Sequence, residues 1–124
     1  MAAKILVADD EPDIANLARM ILERQGYRVL IASNGVEALE KAESAMPDLI
    51  LLDVVMPAKN GWEVCKTLKS QENTRRIRVL IFTVLAKYIG DESKKRAEEC
   101  GSDGYLPKPF TPQELITEVR KYIV

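Results

Sequence analysis

The stretch ILVADDEPDIANLARMIL, residues 5–22, contains the signals of a buried strand and of the helix that follows it. Its first four residues are apolar, which is typical of a strand inside a sheet. Pro12 suits the first turn of a helix, and Gly26 suits its end. Between these two residues, apolar side chains recur with helical spacing at Ile14, Leu17, Ala18, Ile21 and Leu22. We therefore predict a β-strand and an α-helix joined by an acidic turn.

The same alternation continues along the whole chain. Further apolar runs predict strands at residues 29–32, 49–53, 79–83 and 104–107. Helical patterns are predicted near 36–46, 61–70 and 91–100, and Thr111-Pro112 begins a last helix whose inward apolar residues continue to Ile123. The runs LILL and VLIF are continuously apolar, as in strands that are covered on both faces, so the sheet is predicted to be parallel.

This alternation predicts one domain, over residues 1–124, with an α/β fold of the (βα)₅ type. Because crossovers between parallel strands are right-handed, few windings are possible, and the doubly wound, flavodoxin-like order 2-1-3-4-5 is the one we expect. Pro107 lies in the fifth strand and has no N–H group for a ladder. That strand is therefore predicted at an edge of the sheet.

The composition excludes several classes of protein and site. The net charge is −1, without the basic excess of proteins that bind nucleic acid directly. No apolar run approaches the ~20 residues of a membrane span, and the N-terminus lacks a signal peptide's pattern, so we expect a cytoplasmic protein without membrane contact. Cys65 and Cys100 are predicted to be reduced thiols within helices, with an ordinary packing role. Because the chain has no histidine, any metal must be held by oxygen atoms, as Mg²⁺, Ca²⁺ and Mn²⁺ are.

Polar residues stand at the carboxyl ends of the predicted strands, where open α/β sheets have their ligand sites. Asp9 and Asp10 follow the first strand, Asp53 ends the third, Thr83 ends the fourth, and Lys108 follows the fifth. Three carboxylates in one cleft stay ionised when a divalent cation neutralises them, and Mg²⁺ is the expected cofactor. A hydroxyl and an ammonium beside it suit phosphoryl oxygens. Asp53, which we expect to be the most exposed carboxylate, is the predicted nucleophile of an aspartyl phosphate.

Taken singly, these residues have simpler interpretations. The acids at 9–13 suit the N-terminus of a helix, Thr83 suits a strand, and Lys108 suits a solvated surface. Three other functions are also open: a Mg²⁺-dependent phosphatase, an FMN-binding flavodoxin and an adaptor that needs no phosphorylation. The phosphatase lacks its usual second acid at Val55, and the flavodoxin lacks a phosphate-binding loop, because ADDEPD is acidic.

Four motifs, ILVADDEPD, LILLDVVMP, VLIFT and GYLPKPF, together resemble the receiver domains of two-component response regulators. The resemblance covers nearly the whole chain and implies a phosphorylatable signalling domain rather than an enzyme with turnover. It implies that Asp53 is the phosphoacceptor and that Mg²⁺ is bound by Asp9, Asp10, Asp53 and the backbone carbonyl of Val55. A cis peptide between Lys108 and Pro109 is implied as well.

The resemblance also implies the switch and the partners. Thr83 and Lys108 would contact the phosphoryl group, and Thr83 and Tyr105 would turn inward together. The donor would be a histidine kinase or a phosphotransfer protein. The surface of the fourth helix, fifth strand and fifth helix would control an output partner or form a homodimer, with no direct contact to nucleic acid.

Three apolar residues near the predicted site, Val55, Leu85 and Val84, bear on the lifetime of the phosphorylated state and on the phosphorylation step. The resemblance implies that Val55 and Leu85, two residues after Asp53 and Thr83, flank the water that hydrolyses the aspartyl phosphate. Neither side chain forms hydrogen bonds, so slow self-dephosphorylation is expected. Val84 departs from the family pattern, which has a small residue after the threonine.

Overall fold

The computed structural model describes residues 2–54, 60–83, 95 and 99–123. Within them lie five strands, β1 (Lys4–Ala8), β2 (Arg28–Ala32), β3 (Leu49–Leu52), β4 (Arg78–Thr83) and β5 (Gly104–Pro107). Four helices lie in the same residues: α1 (Pro12–Arg24), α2 (Gly35–Ala45), α3 (Gly61–Ser70) and α4 (Pro112–Arg120). Strand boundaries and those of α2 and α3 differ from the predicted ones by about one residue, whereas α4 ends at Arg120, before Ile123, the last apolar residue of its predicted stripe.

The five strands form one parallel sheet in the order β2-β1-β3-β4-β5, which confirms the predicted topology. All four residues of β3 are buried, because helices cover both faces of the central strands. β5 lies at an edge and pairs only with β4 in the described residues. The edge position predicted from Pro107 is confirmed, because its missing N–H costs no hydrogen bond to a strand on the outer side of β5.

Alternate side chains of the strands point to two separate cores. One core packs strand residues such as Leu6, Ile50 and Ile81 against α2 and α3. The other packs Ile5 and Leu51 and their neighbours against α1 and α4. Burial of each such side chain stabilises the fold by about 1.5–3 kcal/mol. The sheet is thus held from both sides, and its carboxyl edge is left for the polar residues.

Side-chain caps define the starts of three helices. The Oδ1 atoms of Asn34 and Asn60 accept hydrogen bonds from the backbone N–H groups of Glu37 and Glu63. Thr111 and Glu114 cap α4 reciprocally. α1 has no side-chain cap of this kind; instead, Asp9 accepts a hydrogen bond from the backbone N–H of Glu11.

The helix predicted at 91–100 lies mostly outside the described residues. Lys95 and Glu99 are helical, and Cys100 and Gly101 form a turn rather than continuing a helix. Gly101 has a φ of +88°, a left-handed conformation that favours glycine and ends helices.

Asp103 connects this turn to the sheet and to α3. Its carboxylate accepts hydrogen bonds from Lys69 Nζ and from the backbone N–H of Val79, both at 2.8 Å, and it pairs with Arg78. Burial acts to raise the pKa of Asp103, but the hydrogen bonds from Lys69 and Val79 outweigh burial and lower that pKa below the ordinary 3.8. No local pattern in the sequence predicts this role for Asp103, because its partners come from two distant segments.

Asp103→Asn is expected to lower the free energy of unfolding at pH 7 by about 1–2 kcal/mol, because the ammonium of Lys69 loses its anionic partner in a partly solvated site. A depressed carboxyl pKa stabilises the folded chain above the unfolded pKa of 3.8, and that stabilisation is lost as the pH falls through the folded pKa. Urea unfolding of the variant should therefore change less with pH below about 4 than that of the parent. The exposed Glu72→Gln is the matched control; equal losses in both variants would contradict the assignment.

Candidate functional site

The carboxyl ends of β1, β3 and β5 bring three predicted site residues together. Asp9 and Asp53 directly follow β1 and β3, which pair in parallel with Ala8 opposite Leu52. The backbone N–H of Asp53 continues this ladder by donating to the Ala8 carbonyl at 2.9 Å. The two carboxylates therefore lie side by side at the sheet edge, and β5 delivers Lys108 to the same place.

Lys108 bridges the two carboxylates. Its Nζ atom lies 2.5 Å from Asp9 Oδ2 and 3.1 Å from Asp53 Oδ2, and it stands 4.5 Å from the centre of the Phe82 ring. Burial acts to lower the pKa of Lys108, but the hydrogen bond to Asp9 and the charges of Asp53 and Asp9 outweigh burial and raise that pKa. The ammonium is therefore held in its charged form beside both acids.

The three aspartates form a group that suits a metal ion. Carboxylate oxygens of Asp9, Asp10 and Asp53 all lie within 4.8 Å of one another. Asp9 and Asp53 are buried, and Asp10 is exposed at the mouth of the cleft. A set of hard oxygen ligands with one side open to water fits Mg²⁺, which keeps several of its waters when bound. The predicted fourth ligand, the carbonyl of Val55, lies outside the described residues.

The prediction that Asp53 is the most exposed carboxylate of the cleft is wrong. Asp53 is 5% exposed, whereas Asp10 is on the surface. Asp53 is buried because it follows a central strand and is enclosed by Lys108 on one side and by α3 on the other. Asp53 is thus the inner carboxylate, held in place by Lys108 and α3. Asp10 is the outer one and contacts solvent.

Gly61 sets how closely α3 approaches Asp53. A Cβ atom at this position would lie 2.2 Å from the Asp53 carbonyl oxygen and 2.5 Å from Val54 Cα. The backbone N–H of Gly61 donates to the Val54 carbonyl at 3.0 Å. The sequence pattern predicts only that a helix begins near residue 61, and the close approach of Gly61 to Asp53 becomes visible in the tertiary contact.

Thr83 and Tyr105 lie on neighbouring strands near the cleft. Thr83 is the last residue of β4 and pairs with Pro107, and Tyr105 pairs with Ile81. The side chain of Thr83 lies outside the described residues, so its predicted contact with the site stays a prediction. Tyr105 is half-buried and packs against the core on the α2 and α3 face. The peptide between Lys108 and Pro109 is cis, as the family resemblance implies.

A family model described as the response regulator receiver domain matches residues 5–120. The chain belongs to the response regulator receiver family. Known receiver domains carry an acidic pocket for Mg²⁺, which is the kind of pocket formed here by the three aspartates. Among the described residues of this receiver, none of the helices has the length and apolar character that a membrane crossing requires.

Curated relatives and solved structures agree with this assignment. The receiver is 46% identical, over 97% of its length, to the alkaline phosphatase synthesis transcriptional regulatory protein PhoP of Bacillus subtilis. It covers 48% of PhoP, so it spans about half the length of the curated relatives it matches.

Two solved structures show the same fold. The chemotaxis response regulator CheY4 of Vibrio cholerae has a TM-score of 0.91 at 32% identity, covering 99% of this chain and 100% of that one. The receiver domain of a sensor histidine kinase from Pseudomonas aeruginosa has a TM-score of 0.89 at 30% identity, covering 99% and 98%. That structure has a magnesium ion coordinated in its active-site cleft.

Proposed function

We propose that this receiver accepts a phosphoryl group on Asp53 from a phosphohistidine of a partner protein, with Mg²⁺ as cofactor. The observation that supports the proposal is the group formed by the Asp9, Asp10 and Asp53 carboxylates, two of which, Asp9 and Asp53, pair with the buried ammonium of Lys108. These 124 residues contain no histidine, so the phosphohistidine donor lies outside them. The magnesium-containing relative from Pseudomonas supports the choice of metal.

In the proposed reaction, a carboxylate oxygen of Asp53 attacks the phosphorus, the new O–P bond forms, and the P–N bond of the phosphohistidine breaks. Lys108 holds Oδ2 of Asp53 and so limits how the carboxylate can rotate. Its positive charge also opposes the negative charge that accumulates on the phosphoryl oxygens. Asp9, Asp10 and Asp53, with the Val55 carbonyl, would hold Mg²⁺, which supplies further positive charge for the incoming phosphate.

The same proposal includes a switch. The Thr83 hydroxyl moves toward the phosphoryl group, and Tyr105 turns inward behind it. The output surface then comprises the 91–100 segment, β5 and α4, and includes the exposed residues Lys95 and Lys121. Two phosphorylated copies pair through this surface. Because PhoP and ResD of Bacillus subtilis, the second 42% identical to this receiver, are named transcriptional regulatory proteins, we propose that the output is control of transcription.

The proposed signal is long-lived. Val55 and Leu85, which lie outside the described residues, present no polar group to orient a hydrolytic water. A phosphorylation-independent adaptor is the alternative that the following experiment distinguishes.

Incubation of the receiver with acetyl phosphate and Mg²⁺ is expected to add one phosphoryl group by intact mass, releasable by hydroxylamine as an acyl phosphate should be. Chelation of Mg²⁺ should prevent the gain. Asp10→Asn should raise the Mg²⁺ concentration for half-maximal phosphorylation by at least about tenfold, because a ligand carboxylate is lost.

Asp13→Asn is the matched control, since Asp13 is an exposed acid on the first turn of α1. It should leave the Mg²⁺ requirement unchanged. Phosphorylation that proceeds equally well with chelator present would contradict the metal site, and no mass gain under any condition would favour the adaptor.

A further inference from the structure

Two cysteines that are distant in sequence lie against each other on the α3 side of the sheet. Cys65 is fully buried in α3, and Cys100 is 8% exposed in the turn before β5. Their Sγ atoms are 2.9 Å apart, and Cys65 Sγ lies 3.5 Å from the Cys100 carbonyl oxygen. Both are present as thiols. The composition predicted separate packing roles for them, and their proximity arises only in the fold.

A surface groove gives small molecules a route to this pair. The groove has a volume of about 410 Å³ and lies between the start of α3 and the turn, lined by Trp62, Lys66, Glu99 and Cys100 among others. Cys100 therefore faces the groove, and Cys65 lies behind it. A small oxidant reaches Cys100 first, and the second sulfur is already in place to resolve the product.

The two thiols differ in acidity in the way that this order of events requires. The hydrogen bond between them raises the pKa of Cys65, and burial raises it further. The same hydrogen bond lowers the pKa of Cys100 to about 7, against the opposing effect of burial, and Ser102 adds hydrogen bonds that lower it too. Near neutral pH, Cys100 is thus the partly ionised sulfur, and the thiolate is the reactive form of cysteine.

We propose that Cys65 and Cys100 form a reversible disulfide when the receiver reacts with a peroxide. The Cys100 thiolate attacks one peroxide oxygen, the O–O bond breaks, and the departing hydroxide takes a proton to become water. Cys65 then loses its proton and attacks the sulfur of the Cys100 sulfenic acid, which releases a second water. Two thiols are oxidised by two electrons in total, and one hydrogen peroxide is reduced to two waters.

The bond would join α3 to the turn before β5, over a sequence separation of 35 residues. That turn already contacts α3, because Gly101 lies against the Lys69 side chain and Asp103 pairs with Lys69. β5 follows directly and contains Tyr105. If α3 and the turn are covalently joined, the turn is restrained in both signalling states. The consequence for signalling rests on the proposed function; the formation of the bond does not.

The bond is tested on the reduced receiver by treatment with hydrogen peroxide, alkylation of remaining thiols and digestion with trypsin without reductant. We expect the intact chain to lose two hydrogens and peptides 60–66 and 97–120 to appear joined, with both changes reversed by dithiothreitol. The Asp53→Asn chain should give the same bond. Sulfinic or sulfonic acid without the joined peptides, or bonds only between two chains, would overturn the proposal.

Cys65→Ala and Cys100→Ala separate the two roles. The first should still yield a sulfenic acid at Cys100 that dimedone traps, but more slowly, because the Cys65 hydrogen bond that lowers the pKa of Cys100 is lost; the second should give no trapped product. Equal trapping in both variants would contradict the order of attack. Circular dichroism verifies their folding, and the joined peptide of the unaltered chain is a test that needs neither variant.

The signalling consequence is tested by hydrogen exchange of residues 99–106 with and without beryllofluoride, a phosphoryl mimic, in the reduced and oxidised chains. The mimic should change exchange in the reduced chain and have at least a severalfold smaller effect in the oxidised chain. Equal responses in both forms would refute the restraint. No response in either form would refute the proposed switch while leaving the peptide result as it stands.

Discussion

Asp53→Asn is expected to abolish phosphorylation of the receiver by acetyl phosphate to below detection. The amide oxygen is a far weaker nucleophile than the carboxylate, and the cleft loses one of the three acids proposed to hold Mg²⁺. The fold should persist, because the amide is nearly isosteric and Lys108 keeps its closer partner, Asp9. We expect a change of no more than about 2 kcal/mol in the free energy of unfolding. Intact mass measures the phosphoryl group, and urea unfolding measures stability.

The exposed Asp13→Asn serves again as the matched control, since it makes the same chemical change on the first turn of α1. It should be phosphorylated at the rate of the parent. If Asp53→Asn gains a phosphoryl group as readily as this control, another residue is the acceptor and the proposed function fails at its central step. If neither variant nor the parent is phosphorylated, the receiver is not an acceptor under these conditions.

Gly61→Ala is expected to combine a large loss of stability with a loss of phosphorylation. The added methyl group would meet the Asp53 carbonyl oxygen at 2.2 Å, and backbone atoms do not yield as a flexible side-chain tip does. Relief requires α3 to withdraw or the Asp53 backbone to shift, and overpacking of this kind costs about 3 kcal/mol. The shift also moves the Asp53 carboxylate relative to Lys108 and Asp9. A misplacement near 1 Å is typically worth about 100-fold in rate.

Gly26→Ala separates this effect from the general cost of replacing a glycine. Gly26 has a φ of +91°, so alanine there is strained, but no atom lies within 4 Å of the added Cβ. A penalty of about 1 kcal/mol is expected, with no change in the phosphorylation rate. If Gly61→Ala and Gly26→Ala lose equal stability and both react normally, the close approach of α3 does not position Asp53.

Several features were predictable because they depend on local chemistry or on strand-order rules. The apolar runs at 49–52 and 79–82 indicated buried parallel strands, and Pro107 indicated an edge. Once the order 2-1-3-4-5 is known, residues at the carboxyl ends of β1, β3 and β5 must share one edge. The grouping of Asp9, Asp53 and Lys108 was therefore accessible from the sequence, and their contacts confirm it.

Other features depended on pairs of atoms that no local pattern specifies. The burial of Asp53, predicted as exposed, results from the enclosing contacts of Lys108 and α3. The carboxylate of Asp103 finds its partners in Lys69 and Val79, which belong to other elements. An aspartate reads the same in the sequence whether its side chain is solvated or buried, so only the folded structure shows which it is.

By itself, the sequence determined the type and order of the described strands and helices, the parallel sheet, the edge position of β5 and the acidic cleft with its lysine. These follow from periodicity, from proline's missing donor and from the geometry of parallel strands. Only the tertiary structure decided how deeply Asp53 is buried, how closely Gly61 approaches it and that Cys65 meets Cys100. Those are distances of a few ångströms between residues far apart in the chain, and they are set by packing of whole helices on the sheet rather than by any local preference.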